Sequence, residues 1–395
     1  MASPEKRLEI GVLYGFRALM VLLVANYHIW QQSWLWQSVT LFGQEVGFDY
    51  VTRSSYLFVD GMILLSGFLL YLPYARQRQE GTPVPGVRRF YLNRLKRILP
   101  SYGAAVLLCL FCIAIPEKLF ATTGDMVWDV AAHFTFTQML WPQTYLHTPL
   151  NVALWTIAVE MQFYLLFPWL ARCAQKRLGL TAGLMCAAGW AYRVLVWHGA
   201  QQPAMLINQL PAFLDVYALG MLGAAGFVRL RALMDSLGRR QKAVVSGLCL
   251  AVFAAGGWLV SVILRLQSGV SAQGYDAMQR NQLAVRLPLA VSLLCMMLSA
   301  AFMPRPLQKC LDNRLTRFLS GISMNLYIWH QVLAVQMRKS WFADVNVLHG
   351  DENLQRAYTL LCFSVAILAA MAFTYGVEKP AARWMEKCTA RLKRK

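Results

Sequence analysis

The amino-acid sequence predicts an all-α membrane protein, a polytopic bundle of about ten transmembrane helices with both termini cytoplasmic. Three observations carry this expectation. Hydrophobic residues make up 57% of the 395 residues and charged residues only 14%, with a mean hydropathy of +0.42. A soluble chain carries about a quarter charged residues, because its surface faces water. Apolar segments of spanning length recur from end to end, and the cations fall between them with a strong bias to alternate connections.

The expected spans are 10–30, 55–73, 101–116, 152–171, 179–197, 205–228, 243–264, 283–303, 318–336 and 357–377. The third is the shortest. With the N-terminus inside, six inside segments hold 28 Lys and Arg residues and five outside segments hold eight, Arg286 among them. Arg17 and Arg193 lie within spans. Such a bias follows the positive-inside rule and requires an even number of helices. The stretch 74–100 is the richest inside segment. It begins as a Pro/Gly loop and, from Arg88, reads as an amphipathic basic helix leading to Pro100 and the third span. The outside stretch 117–150 holds acids and aromatics with Lys118 as its one Lys or Arg, and is long enough for a lid or a pocket wall. The whole chain, 1–395, reads as one membrane domain with no appended soluble domain.

The net charge of +19 does not point to nucleic acid. Nucleic-acid binders gather their cations on one face or arm beside polar sequence. Here the cations border apolar runs, and contact with anionic lipid headgroups follows. Cys109 and Cys112 have C-x-x-C spacing but sit inside "AAVLLCLFCIAI", where cysteine serves as a small apolar residue. The start of the chain does not read as a secretory signal peptide, because Arg17 interrupts its apolar run.

Ionisable groups inside a span are costly and therefore informative. Arg17 and His28 are eleven residues apart in the first span. At 100° per residue they share a face, roughly 16 Å apart along the axis. His28 is the group able to act as a general base near neutral pH. In the second span Asp60 either orients His28 through one ring nitrogen or forms a helix-packing ion pair. The fourth span carries Glu160, which either lines a functional cavity or pairs with an arginine. Gln162, Trp155 and Tyr164 lie nearby as candidate cavity residues, although Gln162 turns away from the face of Glu160. His330, in "GISMNLYIWHQVL", is a second intramembrane histidine and a further cavity candidate. No spacing suggests a metal site. Arg94 and Arg97 sit three apart on one helix face, suited either to phosphate oxygens or to lipid headgroups.

Taken in order, these motifs resemble the acyltransferase-3 family of membrane acyltransferases over nearly the whole chain. The family's Arg-x10-His signature matches Arg17 and His28. "VDGMILLSGFLL" resembles its "VDxFFxLSGFL" block, "FYLNRLKRILPSY" its "FYxRRxxRIxPxY" block and "WTIAVEMQFYLLFP" its "WSLxVExQFYLLFP" block. "ISMNLYIWHQ" is similar to "LSYSLYLWH", and "VEKPAARW" to the closing "ExP" segment. Four positions depart: Gly61 and Met62 replace the usual aromatics after Asp60, Phe16 stands before Arg17 where the family often has Leu, and Ala18 replaces a Gly after Arg17.

The resemblance implies a multi-pass protein of the bacterial cytoplasmic membrane that moves an acyl group, usually acetyl, from cytoplasmic acyl-CoA to a hydroxyl. It implies acyl-CoA as co-substrate, with no permanently bound cofactor. Arg94 and Arg97 would hold CoA phosphates, and His28 would deprotonate the acceptor hydroxyl or carry the acyl group transiently. Arg17 would guide the thioester or stabilise developing negative charge, and Glu160 and Asp60 would set the charge state and orientation of the pair. The acceptor is expected to be a cell-surface glycan or its lipid-linked precursor, with a small-molecule hydroxyl as the alternative. A homo-oligomer or a separate envelope partner stays open. The competing class is a transporter or glycan flippase, in which the same intramembrane charges line a path.

Overall fold

A computed structural model describes residues 8–392; the expected inside cations Lys6 and Arg7, and those at 393–395, lie outside the described residues. The fold is a helical bundle, as the apolar runs require, because only helices satisfy their own backbone within lipid unless a barrel closes. In order, the elements are α1 (Val12–Ser33), a hairpin β1 (Ser38–Leu41) and β2 (Gln44–Gly47), α2 (Asp49–Ser54), α3 (Phe58–Glu80), α4 (Val87–Cys109), α5 (Thr123–Phe134), α6 (Pro142–Tyr145) and α7 (Trp155–Gly199). Then follow α8 (Leu214–Ser236), α9 (Arg239–Ser271), α10 (Tyr275–Ala300), α11 (Arg305–Leu311), α12 (Arg314–Trp341), α13 (Glu352–Phe373) and α14 (Lys379–Leu392).

Eight helical segments are long and apolar enough to cross a membrane, against the ten expected. Two differences account for the gap. The segment Val152–Gly199 joins two helices across a kink at Arg177 (φ −143°, ψ 77°), between the expected spans 152–171 and 179–197. Helix α12, with 28 residues, is long enough but too polar, because Ser320, Ser323, Asn325 and His330 are buried along it. It packs between α1 and α13, so its polar groups meet protein rather than lipid. All ten expected segments carry a helix, although in 205–228 it begins only at Leu214, after short 3-10 turns over Leu206–Asn208 and Leu210–Phe213.

Other expectations are adjusted. Helix α3 runs to Glu80 before Gly81 ends it with a left-handed φ of 70°, leaving only residues 81–86 as the loop. Helix α4 starts at Val87, carries the basic face straight into the span through Pro100, and extends as a π-turn over Leu110–Ala114. Arg286, expected in an outside connection, lies inside α10 and is fully buried. The stretch 117–150 forms α5 and α6, with Trp128 and Trp141 exposed and packed edge to face.

The core helices approach closely where side chains are absent. A Cβ on Gly67 of α3 would lie 2.7 Å from the Tyr217 carbonyl oxygen of α8, and one on Gly220 would lie 2.3 Å from the Leu64 oxygen. Small residues at a crossing are how helices in lipid gain packing contact without a hydrophobic driving force. The crossing fixes α3, which presents Asp60 toward one side of the bundle core and Ser66 toward a cavity.

Candidate active site

A cavity of about 470 Å³ opens between α1, α3, α4, α7 and α12. Its polar lining includes Arg17, Ser66, Arg94, Arg97, Thr156, Glu160, Tyr164, Ser323 and Tyr327. Leucine, isoleucine, valine and methionine form most of the remaining wall, including Leu13, Met62, Ile63 and Ile157. The helical spacing of Arg94 and Arg97 puts both on the cavity face of α4.

The charges in this cavity do not balance. Among the described residues, Arg17, Arg94 and Arg97 make no ion pair. Glu9 at the mouth is already held by Arg317 at 3.2 Å. Glu160 accepts a hydrogen bond from the Tyr164 hydroxyl at 2.9 Å. The Arg94 guanidinium lies 5.3 Å from the Tyr164 ring centroid and 5.6 Å from that of Phe90. Cation–π packing of this kind holds an arginine in place while leaving its N–H donors free. Three guanidiniums with one unpaired carboxylate make a site for an anionic ligand, and planar forks match phosphate oxygens.

His28 stands at the far end of the α1 face begun by Arg17. Its ring is joined to a second imidazole, because the His330 centroid lies 5.2 Å away at 44°. His28 Nδ1–H donates to Gln31 Oε1 at 3.0 Å, and the Gln31 amide nitrogen donates to the Tyr27 hydroxyl at 2.9 Å. With the Gln31 nitrogen engaged, its oxygen is what faces the ring, and this tautomer leaves Nε2 as the basic atom. His330 Nδ1–H donates to the Leu326 carbonyl at 3.1 Å, and its Nε2 is buried without a partner. Each ring is thus fixed through Nδ1.

Tyr327 links the two halves. It lines the cavity, and its ring centroid is 5.5 Å from that of His330. Sequence reasoning passed over Tyr327 because one aromatic in "NLYIWH" looks like any other packing residue. Ser66, Thr156 and Ser323 were missed for the same reason, since hydroxyls in spans commonly bond their own helix.

Several sequence expectations are corrected. Asp60 does not hold His28; Gln31 does. The Asp60 carboxylate accepts from Arg286 Nε at 3.2 Å, both side chains being buried. Arg286 Nη1 also donates to the Ile207 and Ala212 carbonyls, at 2.9 and 3.2 Å. Arg193 meets Asp215 with both arms of its fork and shares the same Ala212 oxygen at 3.2 Å. This four-membered network joins α3, α7, α8 and α10. Gln162 donates to the Phe136 carbonyl at 2.9 Å and is not among the cavity-lining residues. Trp155 also falls outside the lining and stacks on Phe213, with centroids 6.0 Å apart. Phe213 in turn lies 4.0 Å from the Arg286 guanidinium. Tyr164 and Glu160 do line the cavity, and His330 lies beside His28. No group of three or more His, Cys, Asp or Glu side chains gathers for a metal among the described residues.

Comparison with known proteins places these observations. The chain is 27% identical over 198 residues to the acyltransferase MdmB of Streptomyces mycarofaciens, covering 49% of this chain and 46% of that one. It is 26% identical over 165 residues to the peptidoglycan O-acetyltransferase OatA of Listeria monocytogenes, covering 39% and 23%. A match of 32% over 124 residues to protein 2 in the picA locus of Rhizobium radiobacter covers 30% and 54%. The chain thus spans about half or less of the length of these curated relatives. No solved structure matches it. The family model for the acyltransferase domain matches residues 12–375, from the first residue of α1 into the π-turn Thr374–Glu378 that follows α13. With the eight long apolar helices, that match identifies a multi-pass membrane protein. The chain belongs to the acyltransferase-3 family.

Proposed function

We propose that this protein is a membrane O-acyltransferase that moves an acyl group, in the simplest case acetyl, from acyl-CoA to a hydroxyl of an envelope glycan or its lipid-linked precursor. The observation that carries the reading is one cavity with three unpaired arginines, walled by Tyr327, and a pair of imidazoles packed behind that ring without themselves lining the cavity. An anionic carrier at one end and a base at the other is what thioester-to-hydroxyl transfer needs. The names of the relatives, an acyltransferase and a peptidoglycan O-acetyltransferase, support the same class.

In this reading the arginine end is cytoplasmic, as the cation bias of the chain suggests. Arg94 and Arg97 hold the CoA phosphates, and the apolar walls take the pantetheine arm and acyl chain. Arg17 stabilises negative charge that develops on the leaving sulfur or the carbonyl oxygen. Glu160, tethered by Tyr164, limits repulsion among the three cations. The groups that touch the His28 ring besides His330 are an uncharged amide and a phenol, Gln31 and Tyr27, with Tyr56 packed on Tyr27. Such groups suit a sugar hydroxyl better than an ionic acceptor. Asp60 belongs to the scaffold.

Purified protein in lipid nanodiscs, given labelled acetyl-CoA and extracted envelope glycans, should yield an alkali-labile labelled ester. No label in any glycan or lipid-linked fraction, with the protein folded, would overturn the reading.

A further inference from the structure

The second histidine has no assigned part in a one-base mechanism, yet it is built with more care than packing requires. His330 is 1% exposed, its Nδ1 proton is committed to the Leu326 carbonyl, and its Nε2 lone pair is left buried without a donor. A buried polar atom without a partner costs stability, so its retention calls for a function. No Lys, Arg, Asp or Glu makes a hydrogen bond or ion pair with either ring among the described residues. The neighbours of the pair are Tyr27, Gln31 and Tyr327.

We propose that the two imidazoles divide the reaction into two half-reactions, His28 carrying the acyl group and His330 serving as the general base that discharges it. The inference rests on the acyltransferase reading above. A single histidine cannot do both, because once Nε2 is acylated it has no lone pair left to take a proton. In the first step His28 Nε2 attacks the thioester carbonyl. The C–N bond forms, the C–S bond breaks, and the CoA thiolate withdraws toward the arginine-lined cavity and takes a proton from water at its mouth. The acylated ring keeps its Nδ1 proton on Gln31, so it is an acyl-imidazolium and a reactive donor. In the second step the acceptor hydroxyl gives its proton to His330 Nε2 as its oxygen attacks the acyl carbon. The C–O bond forms, the C–N bond breaks, and His28 Nε2 regains its lone pair. His330 then returns its proton to water. The sum is thioester plus alcohol giving ester plus thiol. The thioester of CoA and the acceptor hydroxyl thus reach His28 in turn and are never needed there together.

The test follows each half-reaction in the same preparation of the 395-residue chain in nanodiscs, using labelled acetyl-CoA by rapid quench, with methyl glucoside as probe acceptor. Without the glucoside, wild type should show a stoichiometric burst of free thiol and label on the protein that hydroxylamine removes. His330→Gln and His330→Asn should keep that burst and hold the label, with discharge to the glucoside and to water slowed about 100-fold, the usual worth of a general base. His28→Ala should show neither burst nor label. A merely structural role for His330 would depress burst and discharge together. Discharge by both His330 variants at the wild-type rate, or loss of burst and discharge together in both, overturns the inference. So does wild-type turnover without labelled protein, which leaves the acyltransferase reading intact. Failure of wild type to release thiol from acetyl-CoA under any condition sinks both.

Discussion

Two clusters of charge lie inside this bundle, and they are built on opposite principles. Asp60, Arg286, Arg193 and Asp215 form a closed set of two anions and two cations, with Ala212 offering one carbonyl to both arginines. Arg17, Arg94, Arg97 and Glu160 line a cavity with a surplus of positive charge and no ion pair among them. Burial of charge is tolerated in the first because each group is met within the fold. In the second it is tolerated because solvent reaches the cavity mouth and a ligand can complete it. An intramembrane charge is therefore not evidence of a site by itself; its pairing decides. The transport reading suffers from the same distinction, since Asp60, one of the charges that would line a path, is locked to Arg286.

The contrast can be broken most forcefully at the closed cluster. Arg286→Met leaves Asp60 buried and uncompensated, and should cost about 3–5 kcal/mol of stability. Thermal unfolding in detergent should show the loss, and adding Asp60→Asn should recover part of it. At the open cluster the same kind of change should spare the fold. Arg17→Ala should lower the transfer rate about 10²–10³-fold, the worth of one preorganised charge donor, with the unfolding temperature unchanged. A fall in unfolding temperature as large as that of Arg286→Met would make Arg17 a scaffold residue. Arg94→Ala and Arg97→Ala should each weaken CoA binding by roughly tenfold to a hundredfold, as loss of a charge-assisted hydrogen bond predicts. Titration calorimetry with CoA checks this, and unaltered binding would return both to lipid contact. Smallest of all, Tyr164→Phe frees Glu160 but keeps the ring under Arg94. It should change turnover by only about two- to tenfold, because the lost bond positions Glu160 rather than a reacting group.

Much of this was legible in the sequence, for reasons that particular residues make plain. The helices follow from apolar runs, because lipid allows little else. Arg17 and His28 follow from a spacing of eleven on one helix, and Arg94 with Arg97 from a spacing of three. Local geometry answers both questions. The partner of Asp60 was not legible, because Arg286 lies 226 positions away on another helix and stands at the edge of its apolar run. Trp155 and Gln162 were misplaced because helix periodicity tells which residues share a face, not which neighbour that face meets. The role of Tyr327 needed the distance to His330 and the outline of the cavity, neither of which spacing supplies.

Tyr327 and His330 are one turn apart on α12, and that has a consequence for how this protein would treat an oversized donor. A bulky acyl chain that strains the cavity wall at Tyr327 presses on the same helical turn that fixes the second imidazole. Chain length should then be discriminated through misalignment of the base rather than through exclusion from the cavity. Longer thioesters would behave as tight, slowly consumed competitors of the short ones instead of being ignored.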